Sequence, residues 1–147
     1  MTTTSVERTE APSSGKLVVQ GAIAGLVGGV VFGIMMAMMA MLPMVGMLVG
    51  IESAIVGFVV HMAISAFIGA VYGLVIGRFP NTVPVALGGG VINGIVWWVL
   101  GALVLMPLLL GMSQMVFVVE QMQWMSLLGH IIYGVVTALV FFALRRS

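Results

Sequence analysis

The sequence predicts an all-α membrane protein, a four-transmembrane-helix bundle built from two tandem parallel helical-hairpin repeats. The first observation behind this is composition. Of 147 residues, 62% are hydrophobic and 6% charged, whereas an ordinary soluble domain carries roughly a quarter of its residues as charges. The second is spacing. No Asp, Glu, Lys or Arg falls between Lys16 and Glu52, Glu52 and Arg78, Arg78 and Glu120, or Glu120 and Arg145, and each interval exceeds the ~20 residues that cross a bilayer as helix. Lipid offers backbone groups no partner, so a span must be a helix or a closed barrel. These runs are far longer than the ~10 residues of a barrel strand. The third is that the order of features in the first half recurs in the second.

Residues 1–16 are polar, rich in Ser and Thr, and read as a flexible cytoplasmic tail. The four-helix transmembrane domain then occupies 17–147. The first span is expected over about 17–42, closed by Pro43, and is too long for the apolar core of a signal peptide. A short apolar loop leads to Glu52-Ser53, a helix start, and the second span runs over about 53–77. The turn Arg78-Phe79-Pro80-Asn81-Thr82-Val83-Pro84 holds the strongest breakers in the chain. The third span follows over about 85–106, ending at Pro107. The stretch after it is amphipathic enough for a short interfacial helix anchored by Trp124. The fourth span covers about 125–144, before Arg145 and Arg146.

Arg8, Lys16, Arg78, Arg145 and Arg146 all fall on one side of this topology, and the opposite loops hold only Glu52 and Glu120. The positive-inside rule puts the tail, the middle turn and the C-terminus in the cytoplasm of a cell bounded by this plasma membrane. The repeats are expected over about 17–78 and 85–146. Leu42-Pro43 is answered by Met106-Pro107, and each outer glutamate is followed by a histidine, His61 and His130. A two-span unit returns to its starting side, so the copies are parallel. Small residues recur every fourth position: Gly21, Gly25, Gly29, Gly33 and Ala37; Gly57, His61, Ser65, Gly69 and Gly73; Ala86, Gly90, Gly94, Trp98 and Ala102; Ser126, His130, Gly134 and Ala138. Such faces let backbones approach where lipid supplies no hydrophobic drive between helices.

His61 and His130 are the candidate cofactor-binding and metal-ligating residues. Each lies about two helical turns below the outer end of its span, so they share one depth. Imidazoles inside a membrane are costly unless paired or used. One reading makes them interhelical hydrogen-bonding groups, with Ser65 or Ser126 as partners. The other makes them a ligand pair, since neutral imidazole binds haem iron, copper and zinc. Ala37 and Gly101, each six residues before a proline, are the small residues at similar depth on the first and third spans. This set of positions resembles the cytochrome-b-type membrane haem bundles. There, histidines of the second and fourth helices ligate haem, and glycines of the first and third admit it. The resemblance implies a bis-histidine haem between His61 and His130. Each histidine helix here has one histidine where those bundles have two.

Methionine is the second anomaly, with fourteen residues of which all but the initiator Met1 fall in the outer half or outer loops. Flexible gap-filling accounts for such use; a soft-ligand funnel for Cu(I) is the alternative, because thioethers select it and the chain has no cysteine. Glu52 and Glu120 read as solvated interfacial carboxylates. Trp97 and Trp98 both read as packing or lipid-facing, with lining a cavity the alternative for Trp98 because it lies on the small-residue stripe, and Asn93 reads as a membrane amide in need of a partner. No phosphate loop, dinucleotide fingerprint or hydrolase constellation is present, and a net charge of +1 without a basic run carries no nucleic-acid signal. An enzyme is not expected. The sequence points to an accessory subunit or cofactor-binding bundle of a membrane complex, in the lipid bilayer, as a homo-oligomer or within a larger assembly. The alternative is a minimal oligomeric transporter or channel for protons or a soft metal.

Overall fold

The computed structural model describes residues 12–147; residues 1–11 of the predicted tail lie outside the described residues. Six α-helical segments make up the chain: α1 (Ser14–Met38), α2 (Leu42–Gly46), α3 (Ala54–Ile76), α4 (Val83–Trp97), α5 (Met106–Leu109) and α6 (Gln121–Leu144). Between α4 and α5 the helix is not broken but widens into a π-helix over Trp98–Leu105. Four helices are therefore long and apolar enough to cross a membrane: Ser14–Met38, Ala54–Ile76, Val83–Leu109 and Gln121–Leu144.

The helix starts follow local chemistry. Ser13 caps α1 by accepting from the Lys16 amide at 3.3 Å, and Ser53 caps α3 by accepting from Val56 at 3.5 Å. Glu120 and Gln123 form a capping box at the start of α6, in which the Glu120 amide donates to Gln123 Oε1 at 3.0 Å. The fourth span consequently begins at Gln121. Trp124 sits in its first turn, and the stretch before it holds only a 3₁₀ turn at Ser113–Met115 instead of a separate interfacial helix.

The first span ends four residues before the expected Leu42. Ala40 takes a left-handed conformation (φ 53°), its amide donates to Ala37 O, and the Met41 amide donates to Met36 O at 2.9 Å. This is the Schellman arrangement, with alanine where glycine is usual. The chain then turns into α2, whose Pro43 occupies the first turn, where its missing N–H is not needed.

Pro107 does not end the third span. In a regular α-helix its N–H would bond to Leu103 O. The widened π segment accommodates the ring, and the freed Leu103 carbonyl accepts instead from the Phe117 amide at 3.2 Å. That bond ties the loop after α5 back over the helix end.

Packing is pairwise. α1 lies along α3 and α4 along α6, with α1 also against α6. A Cβ added at Gly69 would land on the Gly21 carbonyl and the Gly25 Cα, and one at Gly134 on the Gly90 carbonyl. The small-residue stripes thus face each other within the chain. By contrast, α3 and α4 touch only over a short length, joined by the Tyr72 hydroxyl donating to Ala86 O at 2.9 Å and by an edge-on Phe67–Trp97 contact at 6.0 Å. The half of the bundle towards Arg78 and Arg145 is closed by Leu17, Ala24, Tyr72, Ala86, Ala138 and Phe141. Towards Glu52 and Glu120 the helices part and leave a cavity.

Candidate functional site: an apolar cavity floored by two histidines

The cavity measures about 420 Å³. Its walls are α1, α2, α3, the π segment, α6 and the loop that follows α5. Seven of the fourteen methionines line it: Met36, Met41 and Met44 on one side, and Met106, Met112, Met115 and Met122 on the other. Half of the methionines therefore point to one place. The rest do not; Met38, for instance, is 83% exposed. Apart from His61, His130, Ser126 and Gln123, the lining side chains are apolar. Several lining residues are exposed, among them Ile64 on α3, Leu105 on the π segment, and Leu109, Met112 and Met122 beyond it, so the cavity is not sealed from outside.

Both histidines are lining residues, and both also border a smaller void of about 50 Å³. Their rings are fixed by backbone carbonyls. His61 Nε2 lies 2.9 Å from Gly29 O, and His130 Nδ1 lies 2.8 Å from Ser126 O. A carbonyl oxygen only accepts, so in each ring that nitrogen carries the hydrogen and donates. Ser65 Oγ and Ser126 Oγ sit at 3.5 and 3.4 Å from the same nitrogens. Close glycine contacts make this possible. Gly29 sits against Ser65, and Gly94 lets α4 approach the His130 backbone. Tyr133 adds a further tie between α6 and α3, its hydroxyl donating to Ser65 O at 2.7 Å.

Phe32 stands against both imidazoles. Its ring centroid is 5.4 Å from that of His61 and 4.8 Å from that of His130, edge-on in each case. The residues present do not fit the bis-histidine haem that the cytochrome-b resemblance implied. Phe32 fills the space beside both rings that a shared macrocycle would need, and Nε2 of His61 is turned to the α1 backbone. Ala37 is also misplaced for that role. It is exposed and absent from the cavity wall, because α1 presents Phe32 and Met36 inward at this depth. Gly101 does line the cavity, and a Cβ added there would meet nothing within 4 Å. Among the described residues, no group of three or more His, Asp or Glu is placed to hold a metal ion.

The chain matches no family model, no curated protein and no solved structure. Its chemistry has to be read from this site.

Trp98 packs, and the cavity lining open to it as an alternative falls to Trp97 instead. Trp97 lines the cavity, while Trp98 is buried, donates from Nε1 to Gln123 O at 3.0 Å and stacks on Trp124 at 6.2 Å. Widening of the helix from Trp98 onward rotates the positions after it away from the four-residue stripe. Glu52 and Glu120 are exposed, and Glu120 additionally caps α6. Asn93 Nδ2 is buried without a hydrogen-bond partner among the described residues. Phe32 was not singled out by the sequence, although one signal marked it: it is the sole aromatic residue between Ser14 and Met38.

Proposed function

We propose that this chain is an accessory membrane protein that binds a lipid-soluble organic cofactor or ligand, seated in the cavity with its polar end at His61 and His130. One observation carries the reading: an apolar cavity of about 420 Å³ with both imidazoles among its four polar lining side chains. Small-molecule sites have this form, with volumes of roughly 300–1,000 Å³, mostly apolar walls and a few placed polar groups. Methionine suits such a wall because it is flexible and its sulfur packs favourably against rings. Ile64 and Leu105, exposed lining residues within membrane-spanning helices, suit a ligand arriving from lipid. The test is mass spectrometry of organic extracts of the purified protein. A stoichiometric apolar compound is expected in the wild type and absent from Gly101→Trp, whose new side chain enters open space and leaves thermal stability intact. Recovery of bulk phospholipid alone from both would defeat the proposal.

The lining methionines favour one second reading, a Cu(I) site in which thioethers join a histidine nitrogen. Stoichiometric Cu(I) retention against a competing chelator, lost when Met36, Met41 and Met106 become leucine, would select it over an organic ligand.

Two finer features of the architecture belong to the same proposal. The chain is read as two parallel copies of one two-helix unit, supported by the matched contacts of Gly25 with Ser65 and of Gly90 with Gly134. The cavity is placed in the outer half of the plasma membrane with both termini cytoplasmic, supported by the one-sided basic residues. A single cysteine at Asn81, in this cysteine-free chain, is expected to react with an impermeant thiol reagent only after cells are opened. Labelling in intact cells would invert the orientation.

A further inference from the structure

The carbonyl contacts that fix the two histidines also determine what each offers to the cavity. Because Nε2 of His61 donates to Gly29 O, its Nδ1 is the nitrogen with the free lone pair in the neutral ring; because Nδ1 of His130 donates to Ser126 O, there it is Nε2. Among the described residues, no protein group hydrogen-bonds to either of these lone-pair nitrogens. Both rings line the cavity, so the pair offers a ligand two acceptors, where imidazoles without a carbonyl partner could each turn either a donor or an acceptor to it. Phe32 buttresses both rings from the side and opposes the ring flip that would exchange donor for acceptor. Trp97, Met36 and Met106 add an aromatic and thioether wall suited to a flat ring.

We infer that the ligand's head is a hydroxylated aromatic ring, a hydroquinone or phenol carrying an apolar chain, and that the site prefers it to the corresponding quinone. The inference rests on the cavity reading above and gives it a chemical class. A hydroquinone places O–H donors against the two lone pairs. A quinone of the same shape places carbonyl oxygens there, so both sides have acceptors and neither is satisfied. Leaving such groups unpaired in an apolar site is the costly case, and the apolar chain contributes equally to both forms. Binding alone is proposed, with no electron transfer.

The experiment compares a decyl-substituted hydroquinone with its quinone by calorimetry on the full chain in detergent, without oxygen. Gly101→Trp provides the baseline for partition into micelles. The hydroquinone is expected to bind about tenfold more tightly, and His130→Phe, which leaves the His61 acceptor in place, should reduce that ratio to about threefold while retaining apolar affinity. Where His130→Phe fails to fold, His130→Gln reads the same quantity, because its amide offers a donor as well as an acceptor. Equal affinity of the wild type for both forms, or tighter binding of the quinone, would overturn the donor preference and leave the cavity reading standing. Binding of neither above the Gly101→Trp baseline would overturn the hydroxylated-ring assignment, and the extraction experiment then decides whether another ligand occupies the cavity.

Discussion

Replacing Gly69 or Gly134 by leucine is expected to eliminate folded protein, while Ile55→Ala leaves its yield unchanged. The reason is geometric. At Gly69 even a Cβ would occupy the position of the Gly21 carbonyl oxygen and crowd the Gly25 backbone, and at Gly134 it would strike the Gly90 carbonyl. Backbone atoms in the middle of long helices cannot rotate away as a side-chain end can. The helices must separate, losing their small-residue contacts along the whole face. Overpacking a core by one or two methylenes costs about 1–3 kcal/mol, and four carbon atoms against backbone exceed that range. Within lipid no hydrophobic drive compensates for the lost contact. Ile55 is 79% exposed and has nothing comparable to lose. The measurement is the monodisperse fraction on size exclusion after detergent extraction. Equal yields for all three variants would show that these faces do not hold the bundle together.

That expectation was legible in the sequence, because small residues every fourth position mark a face wherever the helix is regular. Four spans were legible for an equally direct reason: charge-free intervals longer than a bilayer leave no other arrangement of the backbone. The Ser53 cap was readable too, as a hydroxyl residue just before an apolar run. What escaped the sequence lies where the helical period changes. Ala40 holds a left-handed position usually marked by glycine, so nothing in the residue type announced that the first span ends at Met38. Pro107 was read as a terminator, but the third span absorbs it by widening, and every position after Trp98 then leaves the stripe. Trp98 itself, still on the stripe with Gly90 and Gly94, packs against Gln123 and Trp124 of α6, and the neighbouring position Trp97 lines the cavity. Ala37 failed differently: it matched Gly101 in distance from a proline, yet distance along the chain does not set direction around the helix.

Phe32→Ala is expected to destabilise the protein by about 3–5 kcal/mol, the usual cost of removing a fully packed phenylalanine. The ring is 5% exposed and its edge lies against Gly129, where a Cβ would overlap it. It also belongs to the core cluster with Met36, Leu42, Val45, Ile68 and Tyr133. Unlike a cavity sealed on all sides, the space left here would join the void of about 50 Å³ that both histidines border. The imidazoles would lose the surface that holds them edge-on, while keeping their carbonyl bonds to Gly29 and Ser126. Two measurements separate these consequences. Denaturant titration in mixed micelles should show the loss of stability, partly restored in Phe32→Leu. Hemin titration should give no bis-histidine low-spin spectrum with the wild type, because Phe32 and the His61–Gly29 bond stand in the way. A wild-type spectrum of that kind, abolished by either histidine-to-alanine change, would mean that Phe32 swings aside and that the macrocycle excluded by this geometry is admitted after all.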